Sequence, residues 1–130
     1  MIDHLSFSVG SFEKSKAFYL AALAPLGYAM VMEFPDPARP GGPPVKVAGM
    51  GAGQKPDLWF AEGPTGAKLH IAIAAKDRAA VDAFHRAAIA AGGKDNGAPG
   101  LRPQYHPGYY GAFVLDPDGN NLEAVCHTPE

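Results

Sequence analysis

The chain has 130 residues, 47% of them apolar and 18% charged, with a formal net charge of −2. This balance fits one folded unit with a sizeable core and excludes a disordered chain. Scattered Lys and Arg exclude the basic stripe of a nucleic-acid binder, and no apolar run reaches the length of a membrane span.

Residues 2–9 alternate, with His4, Ser6 and Ser8 on one face and Leu5, Phe7 and Val9 on the other, which predicts a half-buried strand. Ser11 then suits an N-cap, with Glu13 in the first turn of a helix that runs to about residue 24 and stops at Pro25 and Gly27. Phe12, Tyr19, Leu23 and Leu26 recur at helical spacing. Three short strands follow, over residues 28–34, 45–50 and 58–61. A second strand with the same alternation opens at His70, whose face carries Ala72 and Ala74 opposite Ile71 and Ile73. Asp77 caps a helix over residues 78–91, with Val81, Phe84, Ala88 and Ile89 as its apolar stripe, and Gly92-Gly93 ends it. The strand expected next, in residues 94–100, is poorly marked and reads as short. Residues 110–115 and 121–126 form a hairpin about the turn Asp116-Pro117-Asp118-Gly119-Asn120.

The order strand, helix, strand, strand, strand thus occurs twice. A gap-free shift of 66 positions lays His4-Leu5-Ser6-Phe7 on His70-Ile71-Ala72-Ile73, Ala17-Phe18 on Ala83-Phe84, and Gly27 on Gly93. It also lays Asp57 on Glu123, and places the Gly/Pro-rich residues 35–44 on 101–110. The expectation is a single α+β domain over residues 1–130, built of two βαβββ modules (about 1–64 and 67–130) related by a pseudo-twofold axis. The single Cys126 excludes an internal disulfide and fits a reducing compartment, and the opening residues carry no leader pattern. A cytoplasmic protein is expected.

Small side chains beside each strand histidine leave room on that face, which suits the lining of a cavity. Glu123 alternates with Leu122 and Ala124, and a carboxylate turned into a core requires a partner or a metal. His4, His70 and Glu123 therefore form a candidate set of two imidazoles and a carboxylate for a divalent ion with open positions; Zn, Ni, Fe and Mn all suit it. Asp57 is a weaker candidate, just after Pro56. A lone strand histidine is more often structural than a ligand, and it is the repetition that favours the metal. His85 and His127 are expected to be solvated. In the run Tyr105-His106-Pro107-Gly108-Tyr109-Tyr110, His106 and Tyr109 are candidates for proton transfer, and Tyr105 for substrate contact. Alternation does not say whether Tyr109, Gly111 and Phe113 or Tyr110, Ala112 and Val114 face inward. Trp59 suits an aromatic cavity wall and core packing equally. Arg39 and Arg102 suit an anionic group of a substrate, or simply loop surface.

The runs Ile2-Asp3-His4, Ser15-Lys16-Ala17-Phe18-Tyr19 and Leu26-Gly27, with residues 113–123 at the end, resemble the vicinal oxygen chelate superfamily. That superfamily includes glyoxalase I, bleomycin-resistance proteins and extradiol dioxygenases. The resemblance covers nearly the whole chain. It implies paired βαβββ modules closing a cup-shaped mixed sheet around a metal, with the helices outside and with His4, His70 and Glu123 at ligand positions. It also implies a small-molecule substrate offering two adjacent oxygens, and modules that pair within one chain or between chains of a homodimer. The activity implied is that of a lyase, isomerase or dioxygenase, with Glu123 acting in catalysis. The rival is a metal-free protein that binds a small aromatic or drug-like ligand in the same cup. Asp57 stands where a glyoxalase I carries Glu or His.

Overall fold

A computed structural model describes residues 1–36 and 45–129; Arg39 lies outside them. Strand β1 (Leu5–Val9) leads into helix α1 (Phe12–Leu23), whose first turn is capped by the Ser11 side chain accepting from Lys14 N–H at 3.3 Å. A 3-10 turn, Ala24–Leu26, ends on Gly27 in the left-handed conformation, the site where a residue without Cβ is favoured. Strands β2 (Ala29–Pro35), β3 (Lys46–Gly51) and β4 (Leu58–Glu62) complete the first module. The second repeats it: β5 (His70–Ala74), α2 (Arg78–Ala90), β6 (Lys94–Leu101), β7 (Tyr110–Leu115) and β8 (Asn121–Cys126).

Each module folds into a four-stranded mixed sheet, ordered β1-β4-β3-β2 in the first and β5-β8-β7-β6 in the second. The opening strand of each pairs in parallel with the last, and the other pairings are antiparallel. The paired βαβββ modules expected from the repeat are therefore present, as two separate open sheets. The helices pack on each other and on one side of the sheets, where Phe18, Tyr19, Leu23, Val81, Phe84, Val114 and Leu122 are fully buried. Alternation along β7 sends Tyr110, Ala112 and Val114 to this core, and the Tyr110 hydroxyl donates to Asp82 of α2 at 2.6 Å. The other face of each sheet is left for the site.

Two expectations need correction. β6 is the longest strand among the described residues, not a short one: it has eight residues and pairs along β7 with irregularities between Asp95 and Gly97 and between Gly97 and Gly100. These breaks reset the inside–outside alternation, so the apolar pattern that marks a strand is missing; Pro99 is tolerated because β6 is an edge strand. Ile89, expected on the buried stripe of α2, is exposed.

Candidate functional site: a buried carboxylate on an open sheet face

The register of the sheets fixes which side chains share a face. Ala72 pairs with Glu123, and Glu123 with Phe113, which in turn pairs with Gly97. Paired residues point to the same side, so His70, Glu123, Gly111, Phe113 and Tyr109 lie on the face away from the helices. This settles the choice that alternation left open along β7.

Glu123 is only 1% exposed. His70 Nε2 lies 2.7 Å from its Oε1, and the Tyr109 hydroxyl donates to its Oε2. Among the described residues, no Lys or Arg forms an ion pair with this carboxylate, so a neutral or protonated imidazole and a phenol alone compensate its burial. His70 itself keeps 56% of its side chain exposed, so the pair opens to solvent on one side. Burial and the bond to Glu123 push the Tyr109 phenol up to about 12, and it stays protonated at neutral pH. Glycine at position 111 keeps the floor clear, because a Cβ there would come within 3.2 Å of the Tyr109 ring and 3.4 Å of Glu123 Oε2.

The other proposed site residues are distributed around this centre. Tyr105 packs edge-on against Tyr109, with ring centroids 5.0 Å apart, and His106 does the same at 5.3 Å. His106 does not bond Glu123. Its Nε2 lies 2.7 Å from His127 Nδ1, and the two imidazoles stack at 4.8 Å. His127 is exposed, as expected, and also meets the Tyr109 ring edge-on at 5.2 Å, so it belongs to the cluster as well; no pattern in the sequence signals this stacking. His85, also expected to be solvated, is half-buried and bonds Asp95 of β6 at 3.0 Å. Arg102 lies over the Phe113 ring, its guanidinium carbon 5.4 Å from the centroid.

The first module presents a different surface. Ser6, Trp59 and Gly49 align across β1, β4 and β3, and the indole covers Gly49 so closely that a Cβ there would meet it at 2.7 Å. Phe34 meets the indole edge-on at 5.9 Å. With His4, Ser6, Ser8, Val47 and Ala61, Trp59 lines a cavity of about 320 Å³, as an aromatic wall and not as part of the core behind the sheet. His4 is exposed and bonds Asp3 at 2.7 Å. His4 and His70 both border a cleft of about 460 Å³ between β1 and β5, with Asp57 and Tyr28 on its rim.

The register also corrects the symmetry. Ser6 pairs with Trp59 as Ala72 pairs with Glu123, so the counterpart of Glu123 in the first module is Trp59, two residues beyond Asp57. Asp57 is exposed and is held by the Tyr28 hydroxyl at 2.8 and 2.9 Å. Among the described residues of one chain, no three His, Cys, Asp or Glu side chains converge as a metal site. His70 and Glu123 meet, whereas His4 stands with the Trp59 face.

The geometry has relatives. The model of the Glyoxalase/Bleomycin resistance protein/Dioxygenase superfamily matches residues 1–124. A glyoxalase/bleomycin resistance protein from Albidiferax ferrireducens T118 is similar in structure, with a TM-score of 0.70, 29% identity and 97% of both chains covered. A glyoxalase I mutant from Zea mays gives a TM-score of 0.70 at 25% identity over 95% of this chain, which spans only 46% of that one. A family enzyme from Burkholderia phytofirmans PsJN shares the fold, with a TM-score of 0.68, 19% identity and 98% of both chains covered. No curated protein sequence matches the chain. Taken with the twin βαβββ modules, the match shows that this chain belongs to the Glyoxalase/Bleomycin resistance protein/Dioxygenase superfamily.

Proposed function

We propose that the protein is a divalent-metal-dependent enzyme of the vicinal oxygen chelate type, acting on a small molecule that offers two adjacent oxygens. The observation that carries this reading is the buried Glu123 carboxylate, bonded by His70 and Tyr109 on an open sheet face. An imidazole and a carboxylate 2.7 Å apart on one floor are a fitting pair of donors. The third donor in this reading is His4. Among the described residues of one chain His4 does not converge with His70 and Glu123, so in this reading a second copy of the chain supplies it, and the working form is a homodimer. Met32, which is 46% exposed on the Trp59 side of its sheet, is apolar surface suited to such a contact.

A bound divalent ion supplies Lewis acidity to the paired oxygens of the substrate. The chain's own residues do the rest. Glu123 orients His70 and shares in proton movement, and Tyr109 holds a proton at its hydroxyl, ready to donate as charge develops on the substrate. Tyr105, His106 and His127 fix the Tyr109 ring by edge contacts. Trp59 offers a flat apolar wall for the carbon body of the substrate.

A second reading draws on the same wall. The cavity of about 320 Å³ beside Trp59 suits a small aromatic ligand without any metal. Elemental analysis of protein purified without chelator, followed by calorimetric titration with Zn²⁺ and Ni²⁺, separates the two. The enzyme reading expects stoichiometric metal that is lost in His70→Ala, Glu123→Gln and His4→Ala, and a dimer by sedimentation. Protein that takes up no divalent ion at any stage sinks it and leaves the metal-free binder.

A further inference from the structure

We infer that the substrate of this site is an organic acid, whose carboxylate is bound by Arg102, a residue that lies against the same Phe113 ring as His70. The inference rests on the reading of the His70–Glu123 face as the place of reaction, and it adds the substrate class.

Arg102 follows β6 directly. Its backbone N–H donates to the Tyr109 carbonyl at 2.8 Å, and its own carbonyl accepts from Tyr105 N–H at 3.0 Å. The loop between Arg102 and Tyr109 is thereby closed on itself. Since Arg102 and Tyr109 pair across this bond, their side chains share the face that carries Glu123. The guanidinium is held in place: one terminal nitrogen, Nη2, donates to the Ala98 carbonyl at 2.7 Å, and Nη1 reaches the Leu101 carbonyl at a limiting 3.5 Å.

The cradle beneath it depends on glycine. A Cβ at Gly97 would stand 3.2 Å from Nη2 and 2.8 Å from the Phe113 ring, and one at Gly100 would stand 3.2 Å from Nη1. Gly97 also has φ +154, in the range where side chains are disfavoured. Gly97 and Gly100, which bound one of the two irregularities of β6, thus leave room for the guanidinium over Phe113.

That cation has no counter-charge. Among the described residues Arg102 forms no ion pair; its bonds go to two backbone carbonyls, while a guanidinium carries five N–H donors. A half-buried guanidinium with free donors, on the sheet face that carries Tyr109 and Glu123, is an arrangement for a ligand oxyanion, and its planar fork matches a carboxylate. Phe113 sets the span. The Arg102 guanidinium carbon lies 5.4 Å from the Phe113 ring centre, and the His70 ring centre lies 6.2 Å from it. A ligand bridging Arg102 and the exposed His70 imidazole, past the buried Phe113 ring, puts its acid group at the guanidinium and its reacting oxygens at the imidazole that bonds Glu123. A neutral ligand of the same shape leaves the guanidinium unanswered.

Benzoate and benzamide, a planar acid and its neutral counterpart, are the probes. Titration of the ¹⁵N-labelled protein, with and without EDTA, is followed at the amides of Gly97, Gly100 and Gly111 and at the Arg102 side-chain N–H, with Kd taken from the shifts. Benzoate is expected to bind roughly tenfold or more tightly than benzamide, and Arg102→Gln to erase that preference while Arg102→Lys keeps part of it. The preference persists in EDTA, so a failure of the metal reading leaves this result intact and visible. Equal binding of benzoate and benzamide by the unaltered protein overturns the inference, even if Arg102→Gln does not fold. So does an Arg102→Gln protein with undiminished preference, benzoate binding that vanishes in EDTA, or resonances that never move.

Discussion

A single buried carboxylate organises the chemistry here, and its partners decide what it can do. Glu123 is enclosed by its strand neighbours, so each oxygen needs a donor, and His70 and Tyr109 are the two that reach it. Its identity as the unusual residue of β8 was legible in the alternation Leu122-Glu123-Ala124. The absence of a matching carboxylate in the first module was legible only in part, because the gap-free shift assigned the place to Asp57 and the sheet register gives it to Trp59. A further histidine–carboxylate contact, between His85 and Asp95, permits a direct test. The bonds from His85 and from the Gly97 N–H hold the Asp95 carboxyl below its usual value. The group is therefore more acidic folded than unfolded, so its contribution to stability is present above the unfolded value and is lost as pH falls through the lowered one. In His85→Ala the Asp95 carboxyl is expected to rise toward its usual value, followed by its carboxyl ¹³C shift during acid titration. An unchanged midpoint would show that the contact does not persist in solution.

Elements were easiest to read where capping and period agree. Asp77 both precedes the apolar stripe of α2 and accepts from the Ala80 N–H at 2.8 Å, so the helix begins at Arg78 as its sequence implies. Replacing it with Ala should cost about 1 kcal/mol in urea denaturation, because a helix N–H loses its acceptor. The equivalent bond at Ser11 is longer, 3.3 Å, and Ser11→Ala should cost less. Equal losses would mean that cap geometry does not set the difference. β6 shows the opposite case. Its pairing with β7 comes from backbone bonds on an interrupted edge strand, and its side chains carry no period that could announce it.

At the scale of the molecule, the two modules are joined through their helices and through one hairpin. Tyr19 of α1 is wholly buried, and its hydroxyl donates at 2.5 Å to Asp116 in the turn between β7 and β8. Burial, with the adjacent Asp116 charge, pushes this phenol well above its usual value, so it remains a donor at neutral pH. Asp116 also accepts from the Asp118 and Asn120 N–H groups, which makes the turn a rigid acceptor. From the same turn, the Asp118 carboxylate accepts from Gly10 N–H at 3.1 Å. Tyr19→Phe should therefore lower unfolding stability by about 2 kcal/mol, the worth of a buried bond to a charged group, with the fold retained. A denaturation midpoint equal to that of the unaltered protein would show that packing alone docks the modules.

By itself the sequence determined the doubled βαβββ order, both helix starts, the closing hairpin and the strand position of His70, since these follow from local alternation, capping and turn chemistry, whereas His4 falls just before β1. It also gathered His70, Glu123 and Tyr109 as candidates without bringing them together. Only the tertiary structure decided that these three meet, that His4 stands with Trp59 on the other face, and that the Arg102 guanidinium lies over Phe113 beside two glycines. The physical reason is register. Strand pairing joins residues far apart in the chain, and a shift of two residues keeps the inside–outside pattern while changing which side chains are neighbours.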